Sequence, residues 1–150
     1  MSERWEFFAC QMGESIAFIF FDDGISDTID GVQVQHFVKV RAALLAPNVR
    51  GLPTDSEFAH LVSLEDRLTA FVTAAGGFYV GRITTKGARY FHFYVDVDED
   101  QLAAFLQHLA SDTEYTLSYV RDADPERSGY WEELYPTADD RTGDQGHESA

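Results

Sequence analysis

The sequence predicts an α+β fold in which an antiparallel sheet carries two helices, and three observations predict it. Six short segments are rich in aromatic and β-branched residues, as half-buried strands are. Two other segments carry apolar residues every three or four positions behind helix-start signals. Gly76-Gly77 and Lys86-Gly87 punctuate the chain where a helix should stop and a hairpin should turn.

The first two strands, "RWEFFACQM" and "ESIAFIFFDD", are separated by Gly13 and suit an antiparallel hairpin. Ile16 to Phe21 is apolar at every position, which predicts a strand covered on both faces. Asp22 to Gln35, with Gly24 and Gly31, is polar and predicts a loop or a ragged edge strand. "HFVKVRAALLAP" is a third strand, ended by Pro47.

Thr54 and Glu57 have the spacing of a capping box, and Pro53 precedes them. Behind them Phe58, Leu61, Leu64, Leu68, Phe71 and Val72 form one apolar stripe, which needs a sheet to lie on. Phe78 to Thr85 and Ala88 to Asp96 are strands joined at Lys86-Gly87. A second helix begins at Asp98, with Gln101 in the capping-box position and Leu102, Phe105, Leu106 and Leu109 facing inward. "EYTLSYVR" is the last strand. From His36 onward the order is β-α-β-β-α-β, the split βαβ or ferredoxin-like unit, with an extra N-terminal hairpin extending the sheet.

One domain is predicted over residues 1–136, because "YWEELYP" still places Trp131, Leu134 and Tyr135 on one helical face. Residues 137–150 are polar, acidic and without periodicity, which predicts a disordered tail. Residues 122–150 hold nine acidic and two basic side chains, so they account for -7 of the net charge of -15.

That charge repels polyphosphates and anionic lipid and favours a basic partner. The longest apolar run is far too short for a bilayer, and the single Cys10 cannot form an internal disulfide. A cytoplasmic location is the default expectation, with no membrane.

The stretch "KGARYFHFYV" partly matches the RNA-platform consensus: Lys86, Gly87, Tyr90 and Phe93 agree, whereas Ala88, Arg89 and Phe91 do not. Alternation puts Arg89, Phe91, Phe93 and Val95 on the helix side and Tyr90, His92 and Tyr94 on the other. Ala88 removes a stacking aromatic and the global charge is unfavourable, so RNA binding through Tyr90, His92 and Tyr94 is an alternative reading, not the leading one.

Metal and catalytic patterns are incomplete. Asp122, Asp124, Glu126 and Glu133 have EF-hand spacing, but Arg127 stands where the turn requires Gly, and the loop follows a strand. Glu57 and His60 resemble half of a di-iron ligand set without a second pair. Glu65 and Asp66 point about 100° apart on a helix and cannot act as an acid/base couple. Cys10 sits among aromatics, where a thiol is usually a small hydrophobe. No catalytic residue, metal site or cofactor is therefore assigned. A small-molecule or metal-dependent enzyme is a second alternative, requiring several of His36, His92, Tyr79, Tyr90 and Tyr94 to converge in a pocket under the hairpin.

Trp5, "GES" at 13–15, "GLP" at 51–53, Glu57 with "LED" at 64–66, "GGFYVGRITTKGARYFHFY" at 76–94 and "YWEELYP" at 130–136 resemble the pattern of a bacterial family, domain of unknown function 695. The half from Gly76 onward is also similar to the regulator of ribonuclease E activity, type B. Those proteins are small, acidic and ferredoxin-like, and bind the ribonuclease as an inhibitory protein partner. The resemblance implies the fold and no catalytic residue.

The leading expectation is a non-enzymatic protein-interaction or regulatory module. Its candidate surface is Tyr79, Tyr90, His92, Tyr94, Trp131 and Tyr135, and its partner is a basic protein, with an RNA-processing enzyme among the options. Exposed edge strands leave a homodimer open.

Overall fold

A computed structural model describes residues 5–12, 15–27 and 34–135. The expected turn at Gly13, the loop glycine Gly31 and the expected disordered tail from 137 lie outside them. Six strands alternate with two helices: β1 (Trp5–Met12), β2 (Ser15–Asp22), β3 (His36–Ala43), α1 (Phe58–Ala74), β4 (Phe78–Thr85), β5 (Ala88–Tyr94), α2 (Glu99–Asp112) and β6 (Leu117–Ala123). A six-residue π-helical turn, Gly129–Leu134, follows. Among the described residues no helix is long and apolar enough to cross a membrane.

The strand order is β1-β2-β4-β5-β3-β6, antiparallel throughout. The last four positions are the split βαβ arrangement that the β-α-β-β-α-β order predicts. The hairpin adds two strands at the β4 edge, where Phe20 pairs with Arg82.

The helices lie on one side of the sheet. Val38, Val40 and Ala42 of β3 and Phe91 and Phe93 of β5 meet Leu61, Leu64, Leu68 and Val72 of α1 and Leu102, Leu106 and Leu109 of α2. Phe71 and Phe105 stack between the helices at 4.0 Å. Phe58 departs from the predicted stripe: it is the first residue of α1 and is 68% exposed.

The predicted caps do not form. Thr54 makes no side-chain cap bond, and Asp98 caps α2 through its backbone position alone. Glu57 is instead 3% exposed and accepts from the Leu45 amide (2.9 Å), the Ala46 amide (3.4 Å) and the Tyr115 hydroxyl (2.7 Å). Three donors, the buried Tyr115 hydroxyl among them, outweigh one exposed cap bond. Burial, and then the Glu57 carboxylate, push the Tyr115 hydroxyl well above its ordinary range.

Gly76-Gly77 does stop α1. Gly76 is left-handed at φ 80°, and the Gly77 amide reaches back to the Val72 carbonyl at 2.9 Å. The β4–β5 hairpin turns on Lys86 and Gly87, both at positive φ. There the Gly87 amide donates to the Gly51 carbonyl at 2.8 Å. A Cβ on Gly51 would stand 2.8 Å from the Gly87 nitrogen, so only glycine lets the 47–53 loop lie against this turn.

Candidate functional site

The far face of β5 is covered by the chain itself. After β6 the backbone turns at Asp124 and runs back under the sheet, burying Tyr130 and Leu134 against Phe37, Tyr94, Ile19 and Phe21. Asp124 directs this return. It accepts from the Ser128 amide, the Gly129 amide (both 2.8 Å) and the Tyr94 hydroxyl (2.7 Å). The Tyr130 hydroxyl donates to the Asp22 carbonyl at 2.8 Å, fastening the segment beneath β2.

Arg127 occupies the place where an EF-hand turn needs glycine, and it takes the left-handed conformation, φ 63°. Its guanidinium is buried, donates to the Val34 carbonyl and lies 4.9 Å over the Tyr94 ring. Asp124 is thus committed to protein donors. Among the described residues no group of three or more His, Cys, Asp or Glu could hold a metal ion.

The candidate surface residues therefore separate. Tyr94 and His92 are buried, Tyr90, Trp131 and Tyr135 are half-buried, and Tyr79 lies on the helix side. Trp131 and Tyr135 pack against Tyr130 and each other at about 5 to 6 Å, extending the far-side core. Tyr90 lies 6.0 Å from the Arg41 guanidinium. An RNA platform needs open ring faces, and the return segment occupies this one at Tyr94 and His92.

The residues named for a catalytic pocket are also dispersed. His36 Nδ1 is 2.8 Å from Asp96 Oδ1 at the start of β3. Glu57 is buried whereas His60 is exposed, so those two diverge.

His92 Nε2 is 3.7 Å from Glu133 Oε1, which also accepts from Lys39 at 3.1 Å. Burial pushes the His92 imidazole below its ordinary value of 6.5, with Glu133 opposing. His92 and then Lys39 hold the Glu133 carboxyl below its ordinary 4.5. The unfolded chain therefore binds more protons than the folded one below pH 6.5. Stability is expected to fall as pH drops from 6.5 toward the folded value of His92, and to fall further as Glu133 takes up its proton. Urea midpoints between pH 7 and 5 should decline for the wild type and flatten for His92→Leu. Equal slopes would assign the dependence to another group.

The helix side of the hairpin is open. Alternation turns Trp5 and Phe7 of β1 and Phe18 and Phe20 of β2 toward it, while the helices lie over β4, β5, β3 and β6. Of the run Ile16 to Phe21, only Ala17, Ile19 and Phe21 are fully buried, all toward the far side. The expected cover on both faces is thus half present, and aromatic rings floor the exposed half. Trp5 stacks on Phe20 at 4.8 Å and Phe7 on Phe18 at 5.5 Å, and Phe7 is 57% exposed.

Two arginines rise from this floor. Arg82 lies 4.5 Å over the Phe20 ring and pairs with Glu65 at 2.5 Å. Arg89 donates from Nε to Thr84 Oγ1 at 2.8 Å, and among the described residues no carboxylate pairs with it. Burial, and then the like charge of Arg82, lower the Arg89 pKa. Nearby the Tyr79 hydroxyl is buried and, among the described residues, has no hydrogen-bond partner, and burial followed by Glu65 raises its pKa well above the usual range.

Arg89 separates two concavities. One, of about 310 Å³, is lined by Phe7, Phe18, Phe20, Arg82, Thr84 and Leu52. The other, of about 400 Å³, is lined by Pro53, Thr54, Asp55, Phe58 and Leu61. Sequence reasoning missed this groove, although the signal was present in the strand alternation: Phe18, Phe20, Arg82, Thr84 and Arg89 share one parity across adjoining strands.

The model of a family of unknown function, DUF695, matches residues 3–135. The chain belongs to the DUF695 family. The DUF695 match takes in the hairpin, both helices and the return segment, so the groove and the covered face both lie within it. No curated protein and no solved structure matches the chain.

Proposed function

We propose that this DUF695 protein is a non-enzymatic protein-interaction module with a regulatory role, and that its working surface is the open helix-side face of the hairpin. The observation that carries this reading is the placement of exposed large apolar side chains. Phe7, 57% exposed, and Phe58 stand in the walls of the two concavities, which share Pro53 and Arg89. Clustered exposed apolar residues with a polar rim favour association with another protein.

The net charge of -15 favours a basic partner in the cytoplasm. The similarity of the half from Gly76 to the regulator of ribonuclease E activity, type B, adds an RNA-processing enzyme as the partner class to test first.

The test is capture from native lysate by the wild type and by a Phe7→Ser/Phe58→Ser variant, with and without ribonuclease. A basic protein captured by the wild type and lost, by about tenfold or more, with the variant is the expected result. Capture that is unaltered by the two substitutions, or that disappears with ribonuclease, would sink the reading.

A further inference from the structure

The groove holds a half-buried guanidinium with which, among the described residues, no carboxylate pairs, and that specifies what enters it. Arg82 is already neutralised by Glu65 and immobilised on the Phe20 ring. Among the described residues Arg89 is anchored only through its Nε, which leaves the two terminal nitrogens of a rigid fork for an acceptor. A planar oxyanion fits such a fork by bidentate, charge-assisted bonding.

One unpaired cation suits a single carboxylate rather than a phosphate dianion, which the surrounding net charge of -15 would repel. On either side of Arg89 lies a concavity with aromatic or aliphatic walls, Phe7 and Phe18 on one flank, Phe58 and Leu61 on the other. A compact acid would fill only one of them. An extended chain fills both, because alternate side chains of an extended peptide project to the same face.

We propose that the groove binds an extended peptide segment of the protein partner, in which an acidic side chain reaches Arg89 and large apolar side chains two positions to either side enter the flanking concavities. This deepens the reading above and rests on it: the partner is basic over most of its surface and presents one carboxylate here. Arg89 discriminates between peptides, whereas Phe7 and Phe58 supply apolar contact that does not depend on the charge.

The test uses two acetylated, amidated pentapeptides, Phe-Ser-Glu-Ser-Phe and Phe-Ser-Gln-Ser-Phe, titrated into the full chain by NMR at low salt. The Glu peptide is expected to bind about tenfold or more tighter than the Gln peptide, as a charge-assisted fork contact should. Arg89→Met should abolish that difference, Arg89→Lys should keep part of it, and Phe7→Ser should weaken both peptides alike. Equal affinity of the two peptides for the wild type overturns the proposal without any variant. So does a preference that survives in folded Arg89→Met, or shifts of the groove residues with phenylpropionate that match those of the Glu peptide in size and affinity. Failure here with variant-sensitive capture from lysate leaves the partner reading standing, whereas failure of the capture alone removes the partner and leaves the peptide site.

Discussion

Replacing Glu57 with alanine is expected to destabilise the fold by about 3 to 5 kcal/mol, through the loss of one buried carboxylate that serves two part-buried amides and the buried Tyr115 hydroxyl. The buried Tyr115 hydroxyl would be left without its acceptor, and the part-buried Leu45 and Ala46 amides would lose charge-assisted bonds. These donors come from the β3–α1 loop and the α2–β6 loop, so Glu57 ties the start of α1 to both. A Tm lower by on the order of 10–20 °C should follow. Glu57→Gln should fall between, because an amide offers one acceptor oxygen and turns a donor toward the remaining N–H. Thermal melts of the three proteins check the ranking. A Glu57→Ala protein within about 1 kcal/mol of the wild type would mean that water reaches these donors and that the carboxylate is not central.

Substituting Gly129 with valine is expected to have a comparable effect by a different route. A Cβ at this position would stand inside contact distance of the Phe37 ring, which is itself buried between Tyr94 and the far-side core. Neither neighbour can yield, since Phe37 is fixed by β3 and the Gly129 amide is held by Asp124. The return segment would lift, exposing Tyr130 and Leu134, at a cost of about 4 kcal/mol from their burial alone. Trp131 emission should shift to longer wavelength and proteolysis should begin within residues 122–135, while α1 and α2 remain protected. Unchanged emission and cleavage would show that the segment tolerates displacement from Phe37.

Much of the fold is legible in the sequence because local signals and packing agree. The Lys86-Gly87 turn, the Gly76 stop and the alternation separating Arg89, Phe91 and Phe93 from Tyr90, His92 and Tyr94 each depend on residues within one turn or one strand. The β-α-β-β-α-β order then restricts the sheet to few arrangements, of which the observed one is the split βαβ. Glu57 shows where such reading stops. Its spacing from Thr54 is that of a capping box, yet its partners are twelve and fifty-eight residues away.

The same limit hides the groove. Phe18 and Phe20 belong to an unbroken apolar run, and nothing within the run says that only its other parity is covered. That depends on the hairpin joining the sheet at β4, beyond the reach of the helices, and on the return segment passing beneath Ile19 and Phe21. Likewise Asp124 looks like part of an acidic loop until Tyr94, thirty residues earlier, is seen to donate to it.

The return segment also bears on how the protein is made. Residues 124–135 leave the ribosome after every strand of the sheet, so Phe37, Tyr94, Phe21 and Ile19 must wait with one face bare while translation proceeds. The helix-side core can close earlier, since α1 and the β4–β5 hairpin precede it in the chain. During that interval the nascent protein presents an uncovered aromatic sheet, and the final dozen described residues decide whether it becomes a sealed domain or a site for chaperones and aggregation.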